Sequence, residues 1–253
     1  MSDLKILFED DSLIVVNKPA GLVSTPSDTS SEPTLADILN QEHGVKLDRG
    51  GLVHRLDKDT SGIILAAKTQ QAFDNLQQQF QDRTVKKEYQ ALIHGTMSEP
   101  VKVDAPIDRN PGDREKFTVI EGGREAVTEF SPIKQLTITN EQLTELFPDF
   151  SKIQMKKLST IHYPLFTLVA CRPLTGRTHQ IRVHLKYINL SLVGDDKYGG
   201  RKVVRLDHRW CPRQFLHAAK ISFSHPATGQ LMSLEAPLPE DLEKALSFLT
   251  AHE

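Results

Sequence analysis

The sequence predicts an α+β fold, with a mixed, largely antiparallel central sheet and flanking helices. Two kinds of segment carry this prediction. Short apolar segments flank a tight turn at 4–8 and 13–16, which is typical of antiparallel hairpins. The segment 69–82 instead repeats Phe73, Leu76 and Phe80 at helical spacing, with Gln and Asp between them. Hairpin strands together with separate amphipathic helices indicate a sheet with helices packed against it.

The other predicted elements follow along the chain. Asn17-Lys18-Pro19-Ala20-Gly21 is expected to be a turn that ends the first hairpin. The Ser/Thr/Pro-rich stretch 24–34 is expected to be a mobile loop. Further strands are predicted at 89–95, 100–131 (as a hairpin ending in strand 126–130) and 165–170, and further helices at 35–41, 141–146 (with Asn140 as N-cap) and from 178 onward.

Length and composition indicate an ordinary soluble globular protein. At 253 residues, with 25% charged and 6% aromatic residues, the chain can form one large domain or two small lobes. No apolar segment approaches the roughly 18 residues that span a membrane, and the N-terminus does not resemble a signal peptide. Two cysteines, Cys171 and Cys211, make no disulfide framework. We therefore expect a cytoplasmic protein.

The most informative stretch is 54–62, which precedes the apolar strand 63–67. A turn rich in Asp, Thr, Ser and Gly leads into this strand, so that Asp57 lies at the entrance of a rigid element. Arg55, Lys58 and the hydroxyl donors that follow would keep the Asp57 carboxylate ionised and oriented. The pattern predicts a functional carboxylate, although an Asx-turn that merely starts a strand has the same spacing.

Charge is unevenly distributed along the chain. The net charge of the whole protein is only −2. Between Arg172 and Lys220, however, the sequence contains eleven basic residues and only three acidic ones, at 195, 196 and 207. A local excess of eight positive charges is typical of a surface that binds phosphates, although a solvated charged surface is the alternative. The basic residues are at positions 172, 177, 182, 186, 197, 201, 202, 205, 209, 213 and 220.

The pattern His-Arg-Leu-Asp-x-x-Thr-Ser-Gly at 54–62 resembles the signature of the RluA-type pseudouridine synthases. The stretch Lys87-x-Tyr89-x-Ala91 with Gly95 resembles the second signature block of that family, and 172–184 resembles the third. Shorter blocks also match, and they lie at 17–21, 195–199, 215–218, 225–226 and 235–239. The resemblance implies two lobes around an RNA-binding cleft, and it covers the chain except one segment.

That segment, 133–164, separates two strands that follow one another after a short turn in compact family members. It is too short to hold a core of its own. We therefore expect a single catalytic domain over 1–253 with an insertion at 133–164.

The resemblance also implies roles for three residues. Asp57 would be the catalytic nucleophile and Tyr89 would lie over the target base. Arg177 is the natural partner of Asp57, because a guanidinium would hold the carboxylate ionised and oriented. Two questions stay open: whether Asp57 attacks the sugar, attacks the base or assists elimination, and whether Tyr89 stacks or transfers a proton.

Other polar residues of the same blocks are candidates for contacts with RNA. We expect the substrate to be bound by Arg55, Thr60, His179, Gln180 and Arg182. Arg55 would fill the space left by an extruded base or hold an adjacent phosphate, and His179, Gln180 and Arg182 would donate hydrogen bonds to phosphates and 2′-hydroxyls. His54 is expected to orient the turn instead. Pseudouridine formation involves no net redox change, so no cofactor or metal is expected. The expected partner is a stem-loop of ribosomal RNA, with transfer RNA as the alternative, and the expected state is a monomer.

Other function classes compete with this interpretation. Ten His and two Cys raise the question of a metal-dependent hydrolase, but only His208 and Cys211 lie close together in sequence, without a ligand motif. A non-catalytic RNA-binding protein would explain the basic segment, although Asp57, Tyr89 and Arg177 are all intact. A base-excising glycosylase would use a similar Asp and would release free uracil.

Overall fold

The computed structural model of the protein describes residues 4–26, 32–160 and 165–251. Its strands are β1 (Lys5–Glu9), β2 (Leu13–Lys18), β3 (Ser61–Ala67), β4 (Lys86–His94), β5 (Val101–Asp104), β6 (Ile107–Asn110), β7 (Asp113–Val119), β8 (Val127–Thr137), β9 (Leu165–Pro173), β10 (Leu216–Ser224), β11 (Leu231–Glu235) and β12 (Thr250–Ala251). Its α-helices are α1 (Leu35–Glu42), α2 (Gln70–Gln81), α3 (Asn140–Leu146), α4 (Lys152–Thr160), α5 (Gln180–Tyr187), α6 (Arg201–Asp207) and α7 (Glu240–Ser247). The prediction of an α+β fold with mostly antiparallel strands is confirmed.

The chain divides into two compact units, of which the first comprises residues 1–88 and 217–238. Its strands lie in the order β1, β2, β3, β10 and β11. The β3–β10 pair is parallel, whereas the others are antiparallel. All seven residues of β3 are buried, which explains its continuous apolar sequence.

The core of the first unit forms between this sheet and α2. Apolar side chains at alternate strand positions, such as Leu13 and Val15 of β2 and Leu65 of β3, form this core. They pack in one cluster with Ala72 and Leu76 of the helix. The helix begins after Thr69, whose hydroxyl accepts a hydrogen bond from the Ala72 N–H. The amphipathic helix predicted at 69–82 is therefore confirmed.

The second unit comprises residues 89–216 and 239–253. Here β9 lies between β4 and β8, and β5 and β12 pair with different parts of β8, all antiparallel. The strands β6 and β7 form a separate hairpin. A core cluster joins this sheet to α5 through Ile181 and Leu185, which lie four residues apart on one face of the helix.

The structure differs from the sequence prediction at several boundaries. The N-cap of α3 is Thr139, not Asn140, because the Thr139 hydroxyl and the Gln142 side chain form a reciprocal capping box. Of the loop expected at 24–34, residues 27–31 lie outside the described residues and Ser24 and Thr34 are buried, so its mobility stays a prediction. Part of the expected insertion, 133–137, continues β8 and pairs with β9. The insertion itself stays a prediction.

Helices α4, α6 and α7 were not predicted. Within the described residues, no helix is long and apolar enough to cross a membrane.

Candidate active site

Asp57 lies in a tight turn immediately before β3. The Thr60 N–H donates a hydrogen bond to the Asp57 carbonyl oxygen at 3.1 Å, which closes the turn. The Asp57 side chain is half-buried, Thr60 is buried, and Arg55 is exposed. The first unit therefore presents Asp57 at the entrance of a buried strand, where the sequence places it.

A buried lysine is hydrogen-bonded to this turn. Lys18 is fully buried, and its ammonium donates hydrogen bonds to the carbonyl oxygens of Pro19 and Leu22, at 2.8 Å each, and of Lys58 at 3.0 Å. The Gly21 N–H donates to the same Lys58 carbonyl oxygen at 3.0 Å. The Lys-Pro turn at the end of β2 is thus bonded directly to the Asp57 turn. Sequence reasoning noticed the turn but not this function of Lys18.

The residues that precede Asp57 are held by hydrogen bonds to Ser24 and to β3. The Ser24 hydroxyl donates to the Leu56 carbonyl oxygen at 2.8 Å and accepts from the Leu56 N–H at 3.2 Å. Nε2 of His54 accepts a hydrogen bond from the Leu65 N–H of β3 at 3.0 Å. Because Nε2 accepts, the ring hydrogen lies on Nδ1. Burial, and after it the positive charge of Lys87, lowers the pKa of His54 to about 3, so the ring stays neutral. These contacts support a structural role for His54.

The start of β3 is also held by its parallel neighbour β10. Nε2 of His217 donates to the Ala236 carbonyl oxygen at 3.2 Å, and its Nδ1 therefore accepts the Ser61 hydroxyl hydrogen at 3.0 Å. Gly62 has a φ of 114°, and a Cβ there would lie 2.3 Å from the Ala218 carbonyl oxygen. Only glycine permits this approach of the two backbones.

Tyr89 and Arg177, the other two predicted catalytic residues, belong to the second unit. Tyr89 lies on β4, directly opposite Cys171 of β9, and packs half-buried against the core of that unit. Arg177 is half-buried in the turn after β9, and its Nε donates to the Glu125 carbonyl oxygen at 2.8 Å. The expected pairing of Asp57 with Arg177 stays a prediction.

Gln180 is a scaffold for the Arg177 turn. Its Oε1 accepts from the Thr175 hydroxyl at 2.7 Å and from the Arg177 N–H at 2.9 Å. Its Nε2 donates to the Val127 carbonyl oxygen and to the Thr128 hydroxyl, each at 2.9 Å. The buried amide is therefore engaged at both ends, which explains a Gln here without any RNA. Its predicted contact with RNA stays a prediction.

Arg182 is held inside the second unit by a carboxylate. Its guanidinium donates two hydrogen bonds to Asp195, from Nε and Nη2 at 2.8 Å each. Burial raises the pKa of Asp195, but the hydrogen bonds and charge of Arg182, together with the Tyr198 and Lys197 N–H groups, outweigh burial and lower the pKa below its usual value. Because Arg182 is buried and paired, its geometry favours a structural role over a phosphate contact.

His179 lies beside this ion pair. Its backbone is left-handed, with a φ of 55°, just before α5 begins. Its Nδ1 lies 2.8 Å from the Tyr198 hydroxyl, and its ring meets Phe117 edge to face at 5.7 Å. His179 is half-buried, so part of it remains accessible.

The basic segment is partly neutralised in the folded chain. Among the described residues, at least four of its eleven basic residues pair with carboxylates, three of which lie outside the segment in sequence. These pairs are Arg182–Asp195, Arg209–Asp149, Arg213–Asp241 and Lys220–Glu235. The excess of eight charges counted along the sequence is therefore larger than the excess at the surface.

Four other cations of the segment are exposed, and no described residue pairs with them. One is Lys186 of α5, and the other three lie on α6, at Arg201, Lys202 and Arg205. These three side chains form a basic surface on α6 that remains available to an anionic partner.

His208 and Cys211, the pair that suggested a metal site, are engaged elsewhere. Nε2 of His208 lies 2.9 Å from an Asp196 carboxylate oxygen, and its Nδ1 lies 3.2 Å from the Cys211 carbonyl oxygen. Burial raises the pKa of the Cys211 thiol to about 12, so it is not a ready thiolate. Within the described residues, no three His, Cys, Asp or Glu side chains converge as metal ligands.

Comparison with known proteins identifies the family. A family model described as RNA pseudouridylate synthase matches residues 12–187. The chain is 40% identical to the uncharacterized RNA pseudouridine synthase YlyB of Bacillus subtilis, over 98% of this chain and 73% of that protein. It is also 40% identical to the ribosomal large subunit pseudouridine synthase D of Nitrosomonas europaea, over 96% of this chain and 64% of that protein.

Solved structures show the same fold. Human RNA Pseudouridylate Synthase Domain Containing 1 matches 99% of this chain and 89% of its own, with a TM-score of 0.72 at 23% identity. Human RNA Pseudouridylate Synthase Domain Containing 4 matches with a TM-score of 0.66. Because the family model matches residues 12–187 and a relative is 40% identical over 98% of this chain, the chain belongs to the RNA pseudouridylate synthase family.

Proposed function

We propose that this chain converts uridine to pseudouridine in ribosomal RNA of the large subunit, with Asp57 as the nucleophile. The observation that carries this proposal is the Asp57 turn, fixed at the entrance of β3 in a chain that belongs to the family. The choice of RNA rests on relatives named ribosomal large subunit pseudouridine synthase D. Transfer RNA is the second candidate substrate.

The reaction breaks the bond between N1 of uracil and the anomeric carbon of ribose, and then joins that carbon to C5. The proton lost from C5 is balanced by the proton that N1 gains. A fixed carboxylate can act as the nucleophile in such a step. Ser24 bonds Leu56 before Asp57, and Lys18 and the Thr60 N–H bond the turn after it, so the backbone that carries the carboxylate is held on both sides.

In this proposal Tyr89 and Arg177 complete the reacting site. The Tyr89 ring can stack on uracil, and its hydroxyl can move a proton during the rearrangement. Arg177 would pair with the Asp57 carboxylate and orient it. Its Nε is anchored to the Glu125 carbonyl oxygen and its N–H to Gln180, which supports a fixed direction for the guanidinium.

A uridine in folded RNA must leave its stack, which costs a few kcal/mol. Exposed Arg55, two residues before Asp57, is suited to fill the vacated space or hold a neighbouring phosphate. Accessible His179 and the basic surface of α6 would add further contacts with the RNA backbone. Thr60, Gln180 and Arg182 are buried, so we propose that they act by positioning the turns and not by touching RNA.

The test is Asp57→Asn, with Asp59→Asn as the matched control. Asp59 lies in the same turn and is exposed. We expect Asp57→Asn to abolish pseudouridine formation and to leave RNA affinity within about threefold, because the change is nearly isosteric and removes no cation. Asp59→Asn should retain activity. Turnover of Asp57→Asn above a few per cent of the unmodified protein would contradict the assignment.

Two further measurements separate the alternatives. Mapping pseudouridine in total RNA from a strain that lacks the gene would identify the RNA and the uridine. Product analysis would distinguish the isomerase from a glycosylase, since only a glycosylase releases free uracil. A chain that binds RNA but leaves every uridine unchanged would be a non-catalytic RNA-binding protein.

A further inference from the structure

Lys87, at the start of β4, has an unusual environment in the first unit. Its Nζ lies 5.7 Å from the centroid of the Phe80 ring, at the end of α2. The same ring packs against His54, with 5.0 Å between the ring centroids. Lys87 is half-buried, whereas its neighbour Lys86 is exposed. The two side chains point to opposite sides of the strand.

No group of the described chain, residues 4–26, 32–160 and 165–251, accepts a hydrogen bond from the Lys87 ammonium or forms an ion pair with it. His54 cannot accept, because its Nε2 already binds the Leu65 N–H and its Nδ1 carries the hydrogen. Lys18 shows the contrast: a buried ammonium of the same unit is surrounded by three carbonyl oxygens.

A cation that has lost part of its water without gaining an acceptor is costly. Burial accordingly lowers the pKa of Lys87 to about 8. The face of the Phe80 ring offsets part of the cost, since a cation over an aromatic ring is attracted by its quadrupole. The ammonium is still charged at neutral pH, and an anion placed against it would recover the missing interaction.

The Phe80 ring links Lys87 to the loop 54–57, which carries Asp57. His54, which shares the Phe80 ring with Lys87, is followed directly by exposed Arg55 and, two residues later, by Asp57. The loop and Lys87 thus contact the same aromatic ring, that of Phe80, within the first unit. An RNA strand that delivers a uridine to Asp57 carries one phosphate per nucleotide past this loop.

We propose that Lys87, seated on the Phe80 ring, binds a phosphate of the RNA strand beside the loop 54–57. This inference rests on the proposed function, because it takes RNA as the substrate. The proposal explains why no described protein group accepts a hydrogen bond from the Lys87 ammonium: a phosphate of the RNA is the acceptor.

Salt dependence of RNA binding tests the proposal. The variants are Lys87→Met, which keeps the apolar stem on Phe80, and Lys87→Arg, which keeps the charge, with Lys86→Met as the matched control. The probe is an in-vitro transcript of large-subunit ribosomal RNA. We expect Lys87→Met to bind about tenfold more weakly. Its plot of log affinity against log salt should be shallower by about 0.7 to 0.9, the loss of one phosphate contact. Lys87→Arg and Lys86→Met should keep the original slope.

A second measurement uses the unmodified protein and does not depend on a folded variant. The RNA transcript should slow acylation of the Lys87 amine several-fold, as followed by mass spectrometry. An unchanged salt slope in folded Lys87→Met, an equal loss of slope in Lys86→Met, or acylation of Lys87 that RNA does not slow would each overturn the proposal. Pseudouridine formation is scored separately: a protein that modifies RNA but shows no Lys87 effect refutes only this inference. A protein with the Lys87 effect that makes no pseudouridine refutes only the proposed function.

Discussion

Lys18 Nζ donates a hydrogen bond to the Lys58 carbonyl oxygen, 3.0 Å away, and thereby fastens the end of β2 to the turn that carries Asp57. The two residues are forty positions apart in sequence. The ammonium is fully buried, and its other hydrogen bonds go to the carbonyl oxygens of Pro19 and Leu22. A charged donor gives stronger bonds than a neutral one, so this buried lysine fixes three turn carbonyls at once.

Lys18→Met should therefore destabilise the protein by about 3 kcal/mol, because it removes the charged donor that the carbonyl oxygens of Pro19, Leu22 and Lys58 share. Urea unfolding measures the change. Lys58→Met is the control: its side chain is exposed and its backbone carbonyl is retained, so we expect a change within about 0.5 kcal/mol. Equal stability of Lys18→Met and the unmodified protein would show that the ammonium contributes nothing to the turn.

A second prediction concerns Asp10, in the turn between β1 and β2. Burial raises its pKa, but hydrogen bonds from the Leu13 and Ser12 N–H groups, the Ser12 hydroxyl and His225 outweigh burial and lower the pKa to about 2. Because the folded-state pKa lies below the unfolded one, the stabilisation is complete above about pH 4 and is lost as pH falls to about 2. The side chain is 35% exposed, and solvent screening reduces the expected contribution to about 1 kcal/mol.

The measurement is urea unfolding of Asp10→Asn between pH 2 and pH 6. The variant should be less stable than the unmodified protein by about 1 kcal/mol at pH 5, and the difference should vanish near pH 2. Exposed Asp11→Asn serves as the control and should show no such pH dependence. A difference that is constant across this range would contradict the role of Asp10 ionisation.

Local signals in the sequence were enough to predict much of the fold. The helix at 69–82 combines apolar spacing with a capping Thr, and both signals lie within one short segment. Thr139 was missed as N-cap because Asn140 next to it is an equally good capping residue by type. Only the capping box with Gln142 distinguishes them. Helices α6 and α7 are short, and basic or acidic side chains obscure their apolar positions.

The candidate site was predictable in part. Asp57 and its turn follow from local sequence, because turn residues directly precede a buried strand. The contacts of Lys18 and Ser24 with this turn join residues 32 to 40 positions apart, so no local pattern indicates them. Residue type was ambiguous for Arg182, since an Arg that binds phosphate and one that pairs with a buried Asp look alike until the fold brings Asp195 to it.

The final prediction concerns Arg177, whose guanidinium we expect to act with Asp57 as one unit. Arg177→Lys preserves the charge but loses the planar fork, and Arg177→Ala leaves the carboxylate without its proposed partner. In single-turnover assays of pseudouridine formation, Arg177→Lys should retain a measurable fraction of the activity, and Arg177→Ala should lose nearly all of it.

The double variant of Asp57→Ala with Arg177→Ala should be no slower than Asp57→Ala alone, because residues that act as a unit are strongly non-additive. Arg172→Ala is the matched control: this exposed Arg precedes the turn and bonds Ser131 on the neighbouring strand, so its loss should leave the rate nearly unchanged. Arg177→Ala with near-normal turnover, or a double variant much slower than Asp57→Ala, would refute the coupling. In the second case Arg177 would act on the RNA independently of Asp57, as a separate phosphate contact would.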